Sequence, residues 1–386
     1  MKFLCTSDLH LGRCSSIPSD PLGLDLSAQG ALDRLVKAAN RKRVDWLLIA
    51  GDIADRKEKW LVSCEILKKA FEALDPRTGI AVISGNHDYD SLEKICSRLE
   101  IDTGRRIVYL NGRYHIDGGP DLLGYPFGTP GLKKRLLEER GPNTIVLYHG
   151  DHTGDDEKYG GLTAGERSDL SENSFFTVCG HNHYPDMPCE GFFNCGSPQA
   201  LDASDGGKND RWHGAWLAED RKNYSHIPIS TVRYARIEAD VAGDIHDAID
   251  EAEKTLCGDE DRKKLIVADV ILGGFGDGES EKKGLEGLFR GRTFVRRVTD
   301  ETLPADAGES ASPSAVLYSL LKKEPDAPLG RDGLLAKARD LIRENTKFLE
   351  QFDLEFTPEE EEAFFDEAAA ALIREIYQLK KENKKK

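Results

Sequence analysis

Five short polar motifs each stand at the end of an apolar run, and this repeated placement limits the possible fold more than any other feature of the chain. Lys2–Thr6 leads into Ser7-Asp8-Leu9-His10, Val44–Ala50 into Gly51-Asp52, and Ile80–Ser84 into Gly85-Asn86-His87-Asp88. Thr144–Tyr148 leads into His149-Gly150, and Phe175–Cys179 into Gly180-His181-Asn182-His183. The apolar runs have strand length, and helical patterns separate the first three. Ser27 caps a helix through Arg43 with Leu32, Leu35, Val36 and Ala39 on one face, and Lys59–Leu74 forms a second helix. Strands alternating with helices predict an α/β fold, in which ligands bind at the carboxyl ends of the strands.

The motifs supply a specific set of donors at those ends. Asp8, His10, Asp52, Asn86, His149, His181 and His183 offer mixed oxygen and nitrogen ligands, with His87 beside them. Such a set suits divalent transition metals such as manganese or iron. One carboxylate bridging two ions, with three further ligands on each, fits a two-metal site that clamps both oxygens of a phosphate displacement. Any one motif alone is uninformative. Together they hold five of the ten histidines. Gly51, Gly85, Gly150 and Gly180 flank the ligands where the backbone must turn sharply.

In this order the five motifs resemble those of the calcineurin-like metallophosphoesterases. Ser7-Asp8-Leu9-His10-Leu11-Gly12, with Gly196-Ser197-Pro198 after the His-x-His pair, is similar to the SbcD type, the nuclease subunit of a double-strand-break repair complex. The resemblance implies a four-layer α/β/β/α core, a small α/β cap domain and a helical C-terminal region that docks on an SbcC-type coiled-coil ATPase. It implies a homodimer and two metal ions, Mn2+ in that family. Asp8, His10, Asp52 and His183 would hold one ion, and Asp52, Asn86, His149 and His181 the other, with Asp52 bridging. His87 would be catalytic, protonating the leaving 3′ oxygen or stabilising phosphate charge, and Asp88 would orient it. The implied reaction is DNA phosphodiester hydrolysis, as an exonuclease on duplex ends and an endonuclease on single strands or hairpins. One departure stands out. The family has an aromatic residue and a nearby proline or histidine after the second motif, whereas here Gly51-Asp52 continues as Ile53-Ala54-Asp55-Arg56-Lys57.

The expected domains are 1–231 for the core, 232–300 for the cap, 301–312 for a linker and 313–386 for the helical region. No P-loop is present, so ATP would bind the partner. The polar turn at Thr6-Ser7-Asp8, the lack of an apolar run of about 18 residues and eight scattered cysteines point to a cytoplasmic chain away from membranes. Cys179, Cys189 and Cys195 fit no common zinc spacing and read as ordinary thiols. His152, three residues after His149, reads as a solvated loop histidine, with a position facing the cleft the alternative, and His213 reads as structural. Arg41-Lys42-Arg43 and Lys133-Lys134-Arg135 read as solvated faces, with DNA contact the alternative. The helix Lys59–Leu74 is apolar on more than one face, through deep burial or self-association.

The net charge of −16 argues at first against an anionic partner. It is regional: residues 1–150 carry 22 Lys and Arg against 20 Asp and Glu, and residues 151–250 carry 8 against 19. Two rival functions fit the same motifs. One is hydrolysis of a small nucleotide or other phosphodiester, and the other is bridging of DNA ends with catalysis secondary.

Overall fold

The computed structural model describes residues 1–302 apart from 18–21, 56–59, 89–91, 154–160, 207–210, 242, 258–263 and 274–277. The expected helical region 313–386 and all but the start of the linker lie outside the described residues. The described chain divides into two compact units: residues 1–237, 249–269 and 286–297, and residues 238–248, 270–285 and 298–302.

The first unit begins β1 (Phe3–Thr6), α1 (Ala28–Lys42), β2 (Trp46–Ala50), α2 (Trp60–Ala73), β3 (Gly79–Ile83), α3 (Leu92–Thr103) and β4 (Ile107–Tyr109). It continues β5 (Gly112–Tyr114), β6 (Asp121–Tyr125), α4 (Leu132–Glu138), β7 (Thr144–His149), α5 (Ala164–Glu172), β8 (Phe176–Gly180), β9 (Asp186–Cys189), β10 (Phe192–Asn194), β11 (Gly214–Ala218) and β12 (Tyr224–Pro228). One six-stranded sheet runs β12-β11-β1-β2-β3-β4, and a second runs β5-β6-β7-β8-β10-β9.

Side chains of a strand alternate between its two faces, and that period sorts this unit into layers. Phe3, Cys5, Trp46, Leu48, Ala81 and Ile83 of the first sheet meet Ile145, Leu147, Phe176 and Val178 of the second in one dry cluster. The intervening residues Leu4, Leu47, Ile49, Ile80 and Val82 face α1, α2 and α3 instead. Leu123, Tyr125, Val146 and Tyr148, on the outer face of the second sheet, pack on Leu132 and Leu136 of α4 and Leu170 of α5. The result is the expected α/β/β/α sandwich. Both faces of the central strands are covered, which is why they read as unbroken apolar runs.

Ser27 caps α1 by accepting a hydrogen bond from the Gly30 amide at 2.9 Å. Arg43 closes the helix in the left-handed conformation, with Arg41 and Lys42 in the last turn, where cations meet the negative end of the helix dipole. The helix expected over Lys59–Leu74 is found as α2. It buries Ser63, Leu67, Ala70 and Phe71 but leaves Leu61 and Val62 exposed, so burial on all sides does not account for its broad apolar surface.

The remaining strands are β13 (Val232–Asp240), β14 (Leu265–Gly273), β15 (Phe289–Arg290) and β16 (Thr293–Asp300), in the order β13-β14-β16-β15, with α6 (Ile245–Cys257) and α7 (Gly278–Leu285) between them. The first halves of β13, β14 and β16 belong to the first unit, where Val232, Tyr234, Leu265, Val267 and Phe294 pack with Leu22, Leu24 and Leu26.

Parallel pairing aligns the strand ends. Thr6 lies opposite Ile49, Ala50 opposite Ile83, and His149 opposite Gly180. Phe176 is fully buried between the sheets, edge-on to Phe3 at 5.5 Å. Phe176→Ala is expected to cost about 3–5 kcal/mol, read as a lowered midpoint in urea unfolding with the slope unchanged.

Candidate metal centre

The strand ends deliver every predicted ligand to one place. Past β1 and β2 the two chains stay paired: the Asp8 amide donates to the Gly51 carbonyl at 3.0 Å and the His10 amide to the Asp52 carbonyl at 3.0 Å. Holding both side chains inward there forces unusual backbone. Asp8, His10, Asp52 and His181 all have positive φ, at 49°, 44°, 51° and 105°, and among described non-glycine residues only the helix-capping Arg43 shares this. Such conformations cost about 1–3 kcal/mol each and persist where the surroundings dictate them. Two glycines admit the ligands. A Cβ on Gly85 would lie 2.1 Å from Asp52 Oδ1, and one on Gly51 2.4 Å from His149 Nδ1.

Asp8, His10 and His183 bring ligand atoms within 4.8 Å of one another, as do Asp8, Asp52 and His149. Asp52 Oδ2 is 3.5 Å from His149 Nε2 and 3.9 Å from His10 Nε2, which puts this carboxylate between the two groups. Asn86 Oδ1 is 3.1 Å from both His149 Nε2 and His181 Nδ1. Asp8 also accepts from the His181 amide at 3.1 Å and from the Ser7 hydroxyl at 2.5 Å.

These residues fit cations for a reason visible in their hydrogen bonds. His149 Nδ1 donates to the Ala50 carbonyl at 2.8 Å, which leaves the Nε2 lone pair aimed at carboxylate and amide oxygens. His183 Nδ1 donates to Asp205 Oδ1 at 2.8 Å, and its Nε2 then faces His10 Nε2 at 2.9 Å. His10 Nδ1 is buried with no hydrogen-bond partner. Lone pairs converging in this way repel unless a proton or a cation stands between them, and the cluster offers more of them than protons alone would need. Without a cation, a proton on His149 answers the same demand. Burial alone would lower the His149 imidazole and raise the Asp52 carboxyl. Their mutual attraction instead lifts His149 to about 9 and holds Asp52 well below the usual carboxylate range.

His87 is placed differently. Its side chain is 40% exposed, against 0% for His149 and 1% for His10, so it alone among these three can meet an incoming molecule freely. Its Nδ1 donates to the Asp55 carbonyl at 2.6 Å, and its Nε2 lies 4.0 Å from Asp52 Oδ2. The loop that departs from the family pattern thus supplies the group that orients this ring. Asp55 is itself buried, its Oδ1 3.6 Å from His10 Nδ1 and 3.7 Å from Arg13 Nε.

The expectation that Asp88 orients His87 is corrected here. Asp88 accepts from the Ile53 and Gly85 amides, each at 2.6 Å, and so braces the two loops that carry Asp52 and Asn86. Burial, then the neighbouring Asp52 charge, pushes its carboxyl up to about 7.

His152 is not a solvated loop residue. It is 2% exposed, its Nδ1 2.9 Å from Asn182 Nδ2 and its ring 6.0 Å from that of Phe192. With Thr153, His181, Asn182, His183 and Tyr184 it lines an open pocket of about 440 Å³ beside the centre. His213 is buried, its nitrogens 2.9 Å from the Ser197 and Asp205 carbonyl oxygens. No cysteine joins a metal-binding group among the described residues. The functional residue that motif reading missed is Asp205. It lies in a short 3-10 turn, Ala203–Asp205, after Gly196-Ser197-Pro198, and no spacing rule links it to His183.

Comparison with known proteins fits this chemistry. The model of the calcineurin-like phosphoesterase family matches residues 1–185. Residues 1–185, just under half of the chain, are thus similar to that family, and the Asp and His groups they bring together have the make-up of a dimetal centre. A similar curated protein, the uncharacterized metallophosphoesterase YhaO of Bacillus subtilis (strain 168), is 33% identical over 96 residues, covering 23% of each chain. This chain thus matches less than a quarter of that relative. Among solved structures, a novel archaeal phosphodiesterase is 17% identical at a TM-score of 0.33, covering 59% of this chain and 99% of that one. A dimetal phosphatase from Danio rerio is 13% identical at a TM-score of 0.35, covering 60% and 99%. No helix among the described residues is long and apolar enough to cross a membrane.

Asp88→Asn keeps the shape but turns one acceptor into a donor facing an amide. It is expected to lower unfolding free energy by about 1–3 kcal/mol in chemical denaturation. An unchanged midpoint would refute the bracing role.

Proposed function

We propose that this chain is a two-metal DNA nuclease of the SbcD type. The observation that carries the reading is the position of Asp52 between two sets of lone pairs, 3.5 Å from His149 and 3.9 Å from His10. Support for the nuclease subtype comes from the two motifs that mark it. Ser7 donates to the Gly196 carbonyl at 3.1 Å, and the Ser197 amide donates to the His183 carbonyl at 2.8 Å. The segment Gly196-Ser197 thereby buttresses the first and last ligand motifs. A Cβ at Gly196, whose φ is 63°, would lie 2.4 Å from the His183 carbonyl oxygen.

In this reading Asp8, His10, Asp52 and His183 hold one cation, and Asp52, Asn86, His149 and His181 the other, with Mn2+ the expected metal. The cations, when bound, supply neutralisation of phosphate charge and an acidified water. The protein does the rest. The carbonyl of Asp55 fixes the proton on His87 Nδ1, so a second proton on the exposed Nε2 is available for the leaving 3′ oxygen. The strained backbone at Asp8, His10, Asp52 and His181 keeps the ligands in place before substrate arrives. The proposal extends to residues 232–300 as a capping region, residues 313–386 as the dock for a coiled-coil ATPase, a cytoplasmic location and a homodimer. Exposed Leu61 and Val62 on α2 support the homodimer.

A specific observation favours the alternative, a small phosphodiester as substrate. Among the described residues, the pocket beside the centre is lined by no Lys or Arg. The cluster at 133–135 is also spent internally, with Lys133 3.1 Å from Glu166 and Arg135 2.7 Å from Glu139.

The deciding experiment compares Mn2+ with Mg2+ on blunt duplex DNA, hairpin DNA and bis(p-nitrophenyl) phosphate, with wild-type protein and His87→Ala. Mn2+-dependent DNA cleavage is expected, lost by 10²-fold or more in His87→Ala while both ions stay bound. Turnover of the small ester without any DNA cleavage, in the presence of a co-expressed coiled-coil ATPase, would establish the alternative. Deleting residues 355–386 is expected to abolish co-purification of that ATPase while leaving Mn2+-dependent cleavage intact. Retained co-purification would place the dock elsewhere.

A further inference from the structure

We propose that Asp205 is the positioning residue of His183: it fixes which imidazole nitrogen faces the metal centre and so sets the affinity of one of the two cation positions. The inference rests on the two-cation reading of the centre but not on the identity of the substrate.

The two oxygens of this carboxylate are divided between two tasks. Oδ1 is 2.8 Å from His183 Nδ1, and Oδ2 accepts the Leu201 amide at 2.6 Å. An ionised carboxylate only accepts, so the proton of His183 must sit on Nδ1 and the Nε2 lone pair is left for the centre. Asp205 is 2% exposed, and water cannot readily replace it at that nitrogen. A carboxylate on the far nitrogen of a ligating imidazole also makes the ligand more basic.

Asp205 is held in turn from behind. His213 Nε2 lies 2.9 Å from its carbonyl oxygen. Asp202 caps the same turn, accepting from the Ser204 amide at 3.0 Å, and reaches Arg13 at 2.9 Å. Arg13 Nε is 3.7 Å from Asp55, whose carbonyl orients His87. A ring of polar contacts thus runs from His183 round to His87 outside the ligands themselves. Only Asp205, within the 202–205 segment, touches a ligand imidazole.

The test is calorimetric titration of metal-free full-length protein with Mn2+. Wild type is expected to bind two ions. Asp205→Asn, which keeps the shape of the turn, is expected to bind one of them about 10–100-fold more weakly and the other within about twofold of wild type. Asp202→Ala loosens the turn without touching His183 and is expected to lose less than Asp205→Asn. Equal losses in the two variants would show that the turn matters and the carboxylate does not, which overturns the proposal. So would two wild-type affinities in Asp205→Asn. Wild-type protein that bound no ion would overturn the two-cation reading itself, together with this inference. A second measurement needs no variant. In ¹⁵N-histidine-labelled protein loaded with Zn2+, His183 is expected to show a protonated Nδ1 and an unprotonated Nε2. The opposite tautomer would refute the assignment.

Discussion

Two carboxylates, Asp8 and Asp52, sit almost wholly out of water, and the first unit is organised around the cost of keeping them there. A buried carboxylate without a partner is so unfavourable that a protein must neutralise it, pair it or bind a cation. Here imidazoles surround both groups, with their other nitrogens tied to Ala50 and Asp205. The left-handed backbone at four ligands and the missing side chains at Gly51 and Gly85 are further concessions to the same arrangement. The sandwich carries this strain because its core is deep: both central sheets are covered on two faces by apolar layers.

The parts of this design that are local in the chain were legible in the sequence. Apolar runs of strand length ending in Gly-Asp, Gly-Asn-His-Asp or Gly-His-Asn-His announce buried parallel strands and a common edge. The observed β1, β2, β3, β7 and β8 begin or end within two residues of the predicted runs. What stayed hidden depends on long-range packing. Asp205 reaches His183 across 22 residues through a turn with no distinctive pattern. Asp88 sits next to His87 in sequence, yet its carboxylate is directed at the amides of Ile53 and Gly85, and adjacency misled there. His152 has the neighbours of a surface loop and is covered only because Phe192 and Asn182 arrive from other strands. Short polar strands such as β9 and β12 carry no clean alternation, since they lie at sheet edges.

The acidity of the chain takes on a different meaning beside this geometry. Some of its carboxylates are not surface repellents at all: Asp8, Asp52, Asp88 and Asp205 are buried and serve the centre. Others pair with two of the basic residues that looked available to a polyanion, Glu166 with Lys133 and Glu139 with Arg135. Exposed charge at such pairs is cancelled locally, and any longer-range field is weakened further by salt.

The order in which the site residues occur along the chain has a consequence for biogenesis. The two imidazoles that meet at 2.9 Å, His10 and His183, are separated by 173 positions, and strands of both sheets must pair before they can approach. Contacts so distant in sequence form late and slowly during folding. A nascent or truncated chain can therefore hold a well-formed β1–β3 layer and still lack half of the centre. The full set of ligands comes together only with the last strands of the second sheet.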